Sequence, residues 1–207
     1  GHVDKYYTSP PFFFFSVVTH PDGDHAGGMR KVLEEGEVLA LWMLRPWDYA
    51  GEIIHRLSYF TNVVNLKKRL KECYPNLVAL DEIAQRKGIP VYEPFQGAQI
   101  GVFTVMAPSK ARYLDLIVES ERTPESVQEQ QREAVFGQHG LMNRAFSAAV
   151  RLAKAAWGAE KFSDEPTSAE NEMSVVQYAN LCGRRIVLTG DAGRDAMTEA
   201  EDFAPLA

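Results

Sequence analysis

The chain has 207 residues, 45% hydrophobic composition and a formal net charge of −6 at pH 7. That length and apolar content suffice for one sizeable core in a single domain, and the acidic balance provides no broad basic face for nucleic acid. No apolar run approaches the roughly 20 residues of a membrane span, and no signal-peptide pattern opens the chain.

The only cysteines, Cys73 and Cys182, lack Cys-x-x-Cys spacing. They read as two core thiols in a reducing compartment, and the expected location is cytoplasmic.

Asp4 to Tyr7 is compatible with a helix end before Pro10-Pro11. Phe12 to Phe15 predicts a short, fully buried strand. Directly after it, Ser16-Val17-Val18-Thr19-His20-Pro21-Asp22-Gly23-Asp24-His25 packs two imidazoles and two carboxylates into a turn enforced by Pro21 and Gly23. Such a set matches a borderline-to-hard divalent ion such as Zn²⁺ or Mn²⁺. An ordinary turn with Asp as its cap accounts for one His and one Asp, but less well for so dense a cluster. Ala26 to Glu35 then reads as a helix, which places the loop between a strand end and a helix start, where open α/β layers hold their sites.

Glu37 to Met43 predicts the next buried strand, ended at Arg45-Pro46. Asp48 caps a helix to about Phe60, with Ile53, Ile54 and Leu57 at helical spacing. Trp42, Trp47, Tyr49, Tyr59 and Phe60 read as core and rim aromatics, with a groove lining as the rival. His55 reads as a surface histidine. Asn62 to Cys73 reads as an amphipathic helix whose Lys67, Lys68, Arg69 and Lys71 form a solvated face, with an electrostatic contact to a phosphate-rich ligand as the rival, and Leu77 to Lys87 reads as a helix stopped by Gly88. Ile89 to Tyr92 and Gln99 to Met106 predict strands.

Thr123-Pro124 opens a polar, then apolar helical insertion over about 124–160. His139, between Gly137 and Gly140, fits a loop better than a ligand position. Ser163 to Ala169 reads as a polar linker. Asn171 to Tyr178 and Arg184 to Asp191 predict two strands joined by a hairpin turn at Cys182-Gly183. Asp191, exposed past a buried strand with Gly190 beside it, suits a metal ligand and equally the N-cap of a following helix.

Thr19-His20-Pro21-Asp22-Gly23-Asp24-His25-Ala26-Gly27-Gly28 resembles the metal motif of the metallo-β-lactamase superfamily. The likeness is greatest to the branch found in the hydrolase domain of competence-type DNA-uptake proteins and their soluble relatives. The usual pattern is His-x-His-x-Asp-His, and Asp22 stands where the second His normally does, which sets Mn²⁺ beside Zn²⁺. Val105-Met106-Ala107-Pro108-Ser109, and Asn171-x-x-Ser174 followed by Leu188-Thr189-Gly190-Asp191, resemble later segments of the same branch.

The resemblance implies an αββα four-layer sandwich with a helical insertion. It implies up to two ions, with His20 and Asp22 on one, Asp24 and His25 on the other and Asp191 bridging. Asp24 and Asp191 would serve the hydrolysis of a phosphodiester, a nucleic acid or nucleotide. The family also places strands before the first motif and a ligand His after Asp191. The expectation is thus a partial domain, incomplete at both ends, with an incomplete metal shell. The alternative is a catalytically weak or inactive binding or regulatory module on the same scaffold.

Overall fold

A computed structural model describes residues 10–57, 60–120 and 167–204. The insertion expected over about 124–160, with His139, lies outside the described residues, as does Tyr59.

Strands β1 (Phe12–Phe13) and β2 (Ser16–Val17) lead into helix α1 (Gly23–Glu35), and β3 (Glu37–Val38) and β4 (Leu41–Trp42) follow it. β1 pairs in parallel with β3, and β2 with β4. A parallel neighbour requires a crossover, which α1 supplies. The next segment is irregular. Pro46–Tyr49 forms a 3-10 turn, α2 spans only Ala50–Ile53, and Ile54–Arg56 is again 3-10. The single helix expected from Asp48 to Phe60 is therefore not formed. Leu57 leaves in an extended conformation, its N–H donating to the Ile54 carbonyl.

Helices α3 (Val63–Cys73) and α4 (Pro75–Lys87) have clear sequence causes. The Asn62 side chain accepts from the N–H groups of Val64 and Asn65 and caps α3. Pro75 sits in the first turn of α4 and Gly88 ends it in the left-handed region at φ 68°. β5 (Val91–Tyr92) then pairs in parallel with β4.

A second, antiparallel sheet has the order β6 (Gln99–Ile100), β7 (Phe103–Ala107), β8 (Val176–Leu181), β9 (Arg184–Leu188). The single strand expected over Gln99 to Met106 is a hairpin, turned at Gly101 and Val102. Helix α5 (Lys110–Glu119) is capped by the Ser109 hydroxyl and α6 (Ala169–Glu172) by that of Ser168. Asn171 to Met173, expected as strand, thus belongs to a helical turn. α7 (Arg194–Phe203) closes the described chain. Together these elements make a mixed α/β fold.

Side-chain alternation along the strands assigns each residue to one of three apolar clusters. Val18, Leu41 and Met43 join Trp47, Leu66, Leu70, Leu80 and Ile117 in the main core, against the helices. Val17 and Trp42, one residue out of phase, pack against Ile100 and Val105 of the antiparallel sheet and Val175 just before β8. Met106 and Val176, again one residue on, pack with Ala200 of α7, and the register shift between Val105 and Ala107 brings Ala107 into the same cluster. Trp47 and Tyr49 are core aromatics as expected, and Trp42 is half-buried with its ring 5.1 Å from that of Tyr92.

Two further expectations are corrected. Phe12, Phe14 and Phe15 are 46%, 64% and 47% exposed. β1 has a neighbour on one side only, and no described layer covers these rings. Cys73 is half-buried and packs against the main core, as expected, whereas Cys182 is exposed and is not a core thiol. Cys182 (φ 52°) and Gly183 (φ 77°) both take the left-handed conformation of a two-residue hairpin turn, which puts the thiol outside. No helix among the described residues is long and apolar enough to cross a membrane.

Candidate metal centre

The structure brings the five sequence-derived ligands together at one end of the parallel sheet. His20 follows β2, Asp22 occupies the N-cap position of α1, and Asp24 and His25 lie in its first turn. The helix starts at Gly23, three residues before the expected Ala26. Glycine at the first helical position costs little, and the Asp24 carboxylate complements the positive end of the helix. Neighbouring helical residues diverge. The Asp24 side chain is accordingly 77% exposed, while His25, at 35%, leans over His20 with ring centroids 4.2 Å apart.

Asp191 arrives from the other sheet. It follows β9 and Gly190, and it is not a helix cap, since α7 is capped at Gly193. Its carboxylate reaches both imidazoles, with Oδ2 3.8 Å from Nε2 of His20 and Oδ1 3.3 Å from Nε2 of His25. Oδ2 of Asp22 lies 3.9 Å from Nε2 of His20, and Oδ2 of Asp24 lies 4.0 Å from Nε2 of His25. Two groups result, His20 with His25 and Asp191, and His20 with Asp22 and Asp24, their ligand atoms within 4.8 Å of one another in each. His25 thus groups with Asp191 and His20, whereas the expected division set it with Asp24.

Exposed acidic groups often cluster without holding anything. What separates this cluster is His20. The residue is 3% exposed, and its Nε2 is buried with no hydrogen-bond partner. A buried polar nitrogen without a partner costs about 1–3 kcal/mol. Separations of 3.3–3.9 Å between ligand atoms are too long for good hydrogen bonds. They suit a shared cation: ligands about 2.1 Å from a tetrahedral ion lie roughly 3.4 Å apart. The donor set of imidazole nitrogens and carboxylate oxygens fits Zn²⁺ or Mn²⁺.

Burial, and next the facing His25, hold the His20 pKa below 6.5, against the opposing pull of Asp191, Asp22 and Asp24. The ring is therefore neutral near pH 7, the form a metal requires. A small cavity adjoins the ring, lined by Thr19 and by mostly apolar side chains such as Met43, Leu77, Tyr113 and Met173.

His55 is exposed and outside the cluster. Asn171 lies half-buried in α6, its N–H donating to the Ser168 hydroxyl. The hydroxyls of Thr19 and Ser174, which no residue-type argument singled out, lie against His20. The one signal for Ser174 was its place in the Asn-x-x-Ser segment. A shallow hollow of about 500 Å³ between α5 and α7, lined by Arg112, Asp195 and Glu199 among others, contains none of the five candidate ligands.

No protein-family model, curated protein or solved structure matches this chain.

Proposed function

We propose that the chain is a metal-dependent hydrolase of the metallo-β-lactamase type acting on phosphodiesters, with a nucleic acid or nucleotide as substrate. The observation that carries this reading is the buried, unpartnered Nε2 of His20 turned towards Asp22 and Asp191. The arrangement of the apolar clusters supports the αββα layering that accompanies it. Helices pack on one face of the parallel sheet, the two sheets pack through Val17, Trp42 and Val105, and α7 lies on the far face.

His20, His25 and Asp191 would hold one divalent ion, with Asp22 and Asp24 available to a second through their proximity to His20. Such an ion, when bound, supplies a water acidified towards neutrality and positive charge for the phosphoryl oxygens. The chain's own groups do the rest. Asp191 places one carboxylate oxygen near Nε2 of each imidazole, where an ion would be shared. Asp24, the most exposed carboxylate of the set, accepts and hands on a proton at its Oδ atoms.

The test is turnover of bis-p-nitrophenyl phosphate by protein incubated with Mn²⁺ or Zn²⁺. Metal-dependent cleavage is expected, and its absence from metal-loaded protein, whatever phosphodiester is offered, contradicts the hydrolase reading. A second reading, a binding or regulatory module with little or no turnover, draws on the hollow between α5 and α7, which lies apart from the five ligands. It predicts retained metal without cleavage.

A further inference from the structure

Ser174 is fully buried, and its Oγ meets two candidate ligands at once. It accepts the N–H of Asp191 at 3.2 Å and lies 3.4 Å from Nδ1 of His20. Oγ1 of Thr19 lies 3.0 Å from that same Nδ1. Both hydroxyls therefore address the ring nitrogen that is not turned to the carboxylates, and leave Nε2 to them.

The backbone is shaped for this approach. Gly190 takes φ 55°, and a Cβ there would lie 3.1 Å from Cβ of Thr19 and 3.3 Å from Oγ of Ser174. The N–H of Val175 donates to the Thr19 carbonyl at 3.0 Å. Three segments distant in sequence, 19–20, 174–175 and 190–191, thus interlock around one hydroxyl.

Hydroxyl oxygens carry two lone pairs and one proton. The Asp191 amide occupies one lone pair of Ser174, and the second remains for an Nδ1–H. With Nδ1 protonated, Nε2 presents its lone pair to the space between Asp22 and Asp191, which is the ligating form of the ring.

We propose that Ser174, backed by Thr19, is a positioning residue for the metal centre. It holds His20 so that the ring ligates through Nε2, and it ties that ring to the backbone of Asp191, so that ligands from the two sheets form one unit. This rests on the metal reading above. Partners behind a ligating histidine commonly contribute about 10–100-fold in metal affinity.

The experiment measures Zn²⁺ affinity by competition with a chromophoric chelator for the unsubstituted protein, Ser174→Ala, Thr19→Val and Thr19→Ser. Ser174→Ala is expected to weaken binding on the order of 10–100-fold. Thr19→Val should weaken it as well, while Thr19→Ser, which keeps the hydroxyl, restores it. Heteronuclear NMR of the imidazole nitrogens in the unsubstituted, Zn²⁺-loaded protein needs no substitution and should show His20 protonated at Nδ1 and coordinated at Nε2. Unchanged affinity in Ser174→Ala, or coordination through Nδ1, overturns this proposal and leaves the metal reading standing. Unsubstituted protein that binds no Zn²⁺ overturns both.

Discussion

Asp191 offers one oxygen to each imidazole, 3.8 Å from His20 and 3.3 Å from His25. Its amide replacement keeps the shape but removes the charge and one oxygen donor. Asp191→Asn is therefore expected to lower metal-dependent phosphodiester cleavage on the order of a hundredfold or more, with the circular dichroism spectrum unchanged. A rate within a few-fold of the parent would remove Asp191 from the chemistry. His20 makes a prediction of its own in metal-free protein. Its folded pKa lies below the unfolded value of 6.5, so the folded state binds fewer protons there than the unfolded state. Its contribution to stability is complete above 6.5 and is lost as pH falls from there through the lower folded value. The melting temperature should drop on acidification from about pH 7.5 to about 5.5, and drop less in His20→Asn. An equal drop in both proteins would place the sensitivity elsewhere.

Among the elements, the junction of β9 with the end of β2 controls the site. Gly190 is left-handed at φ 55° and already within contact distance of Thr19 and Ser174. Gly190→Ala meets both the backbone penalty and the crowding, so we expect a loss of roughly 1–3 kcal/mol in denaturant unfolding together with weaker metal retention. An unaltered unfolding midpoint would show that the junction yields freely. The strand–loop–helix order around His20 and the strand end at Asp191 were legible because they depend on residue type: a dense set of ligands, then Gly-Asp after an apolar run. The helix start at Gly23 was not, since Pro21 and Gly23 signal a turn equally well whether the helix begins at Gly23 or at Ala26. The Phe12 to Phe15 run misled for a related reason. Composition reports that a segment is apolar, and only the neighbouring layers decide whether it is covered. Asn171 to Met173 carried a helix cap in Ser168 that an all-strand reading of the segment overlooked. The Asn-x-x-Ser segment drew attention to Ser174 but not to what it touches, because its contacts with His20 and Asp191 exist only when three distant segments meet.

At the scale of the whole molecule, the candidate centre lies where the parallel sheet meets the antiparallel one, joined by the bond from Val175 N–H to the Thr19 carbonyl. An ion held there by His20, His25 and Asp191 would tie the two halves together and stabilise the folded state by mass action. At a free concentration about a hundred times Kd this amounts to roughly 2.7 kcal/mol. For a chain of this size the melting temperature should rise by roughly 5–11 °C, and a chelator should reverse the rise. A melting curve indifferent to Zn²⁺, Mn²⁺ and chelator would argue against an ion shared by the two sheets. The most direct measurement is elemental analysis of protein incubated with Zn²⁺ or Mn²⁺ and then desalted, set beside the Asp24→Ala, His25→Ala double variant. At least one ion retained per chain is expected, with most of that retention lost in the double variant. No retained ion, or the same metal content in both proteins, would contradict the metal centre.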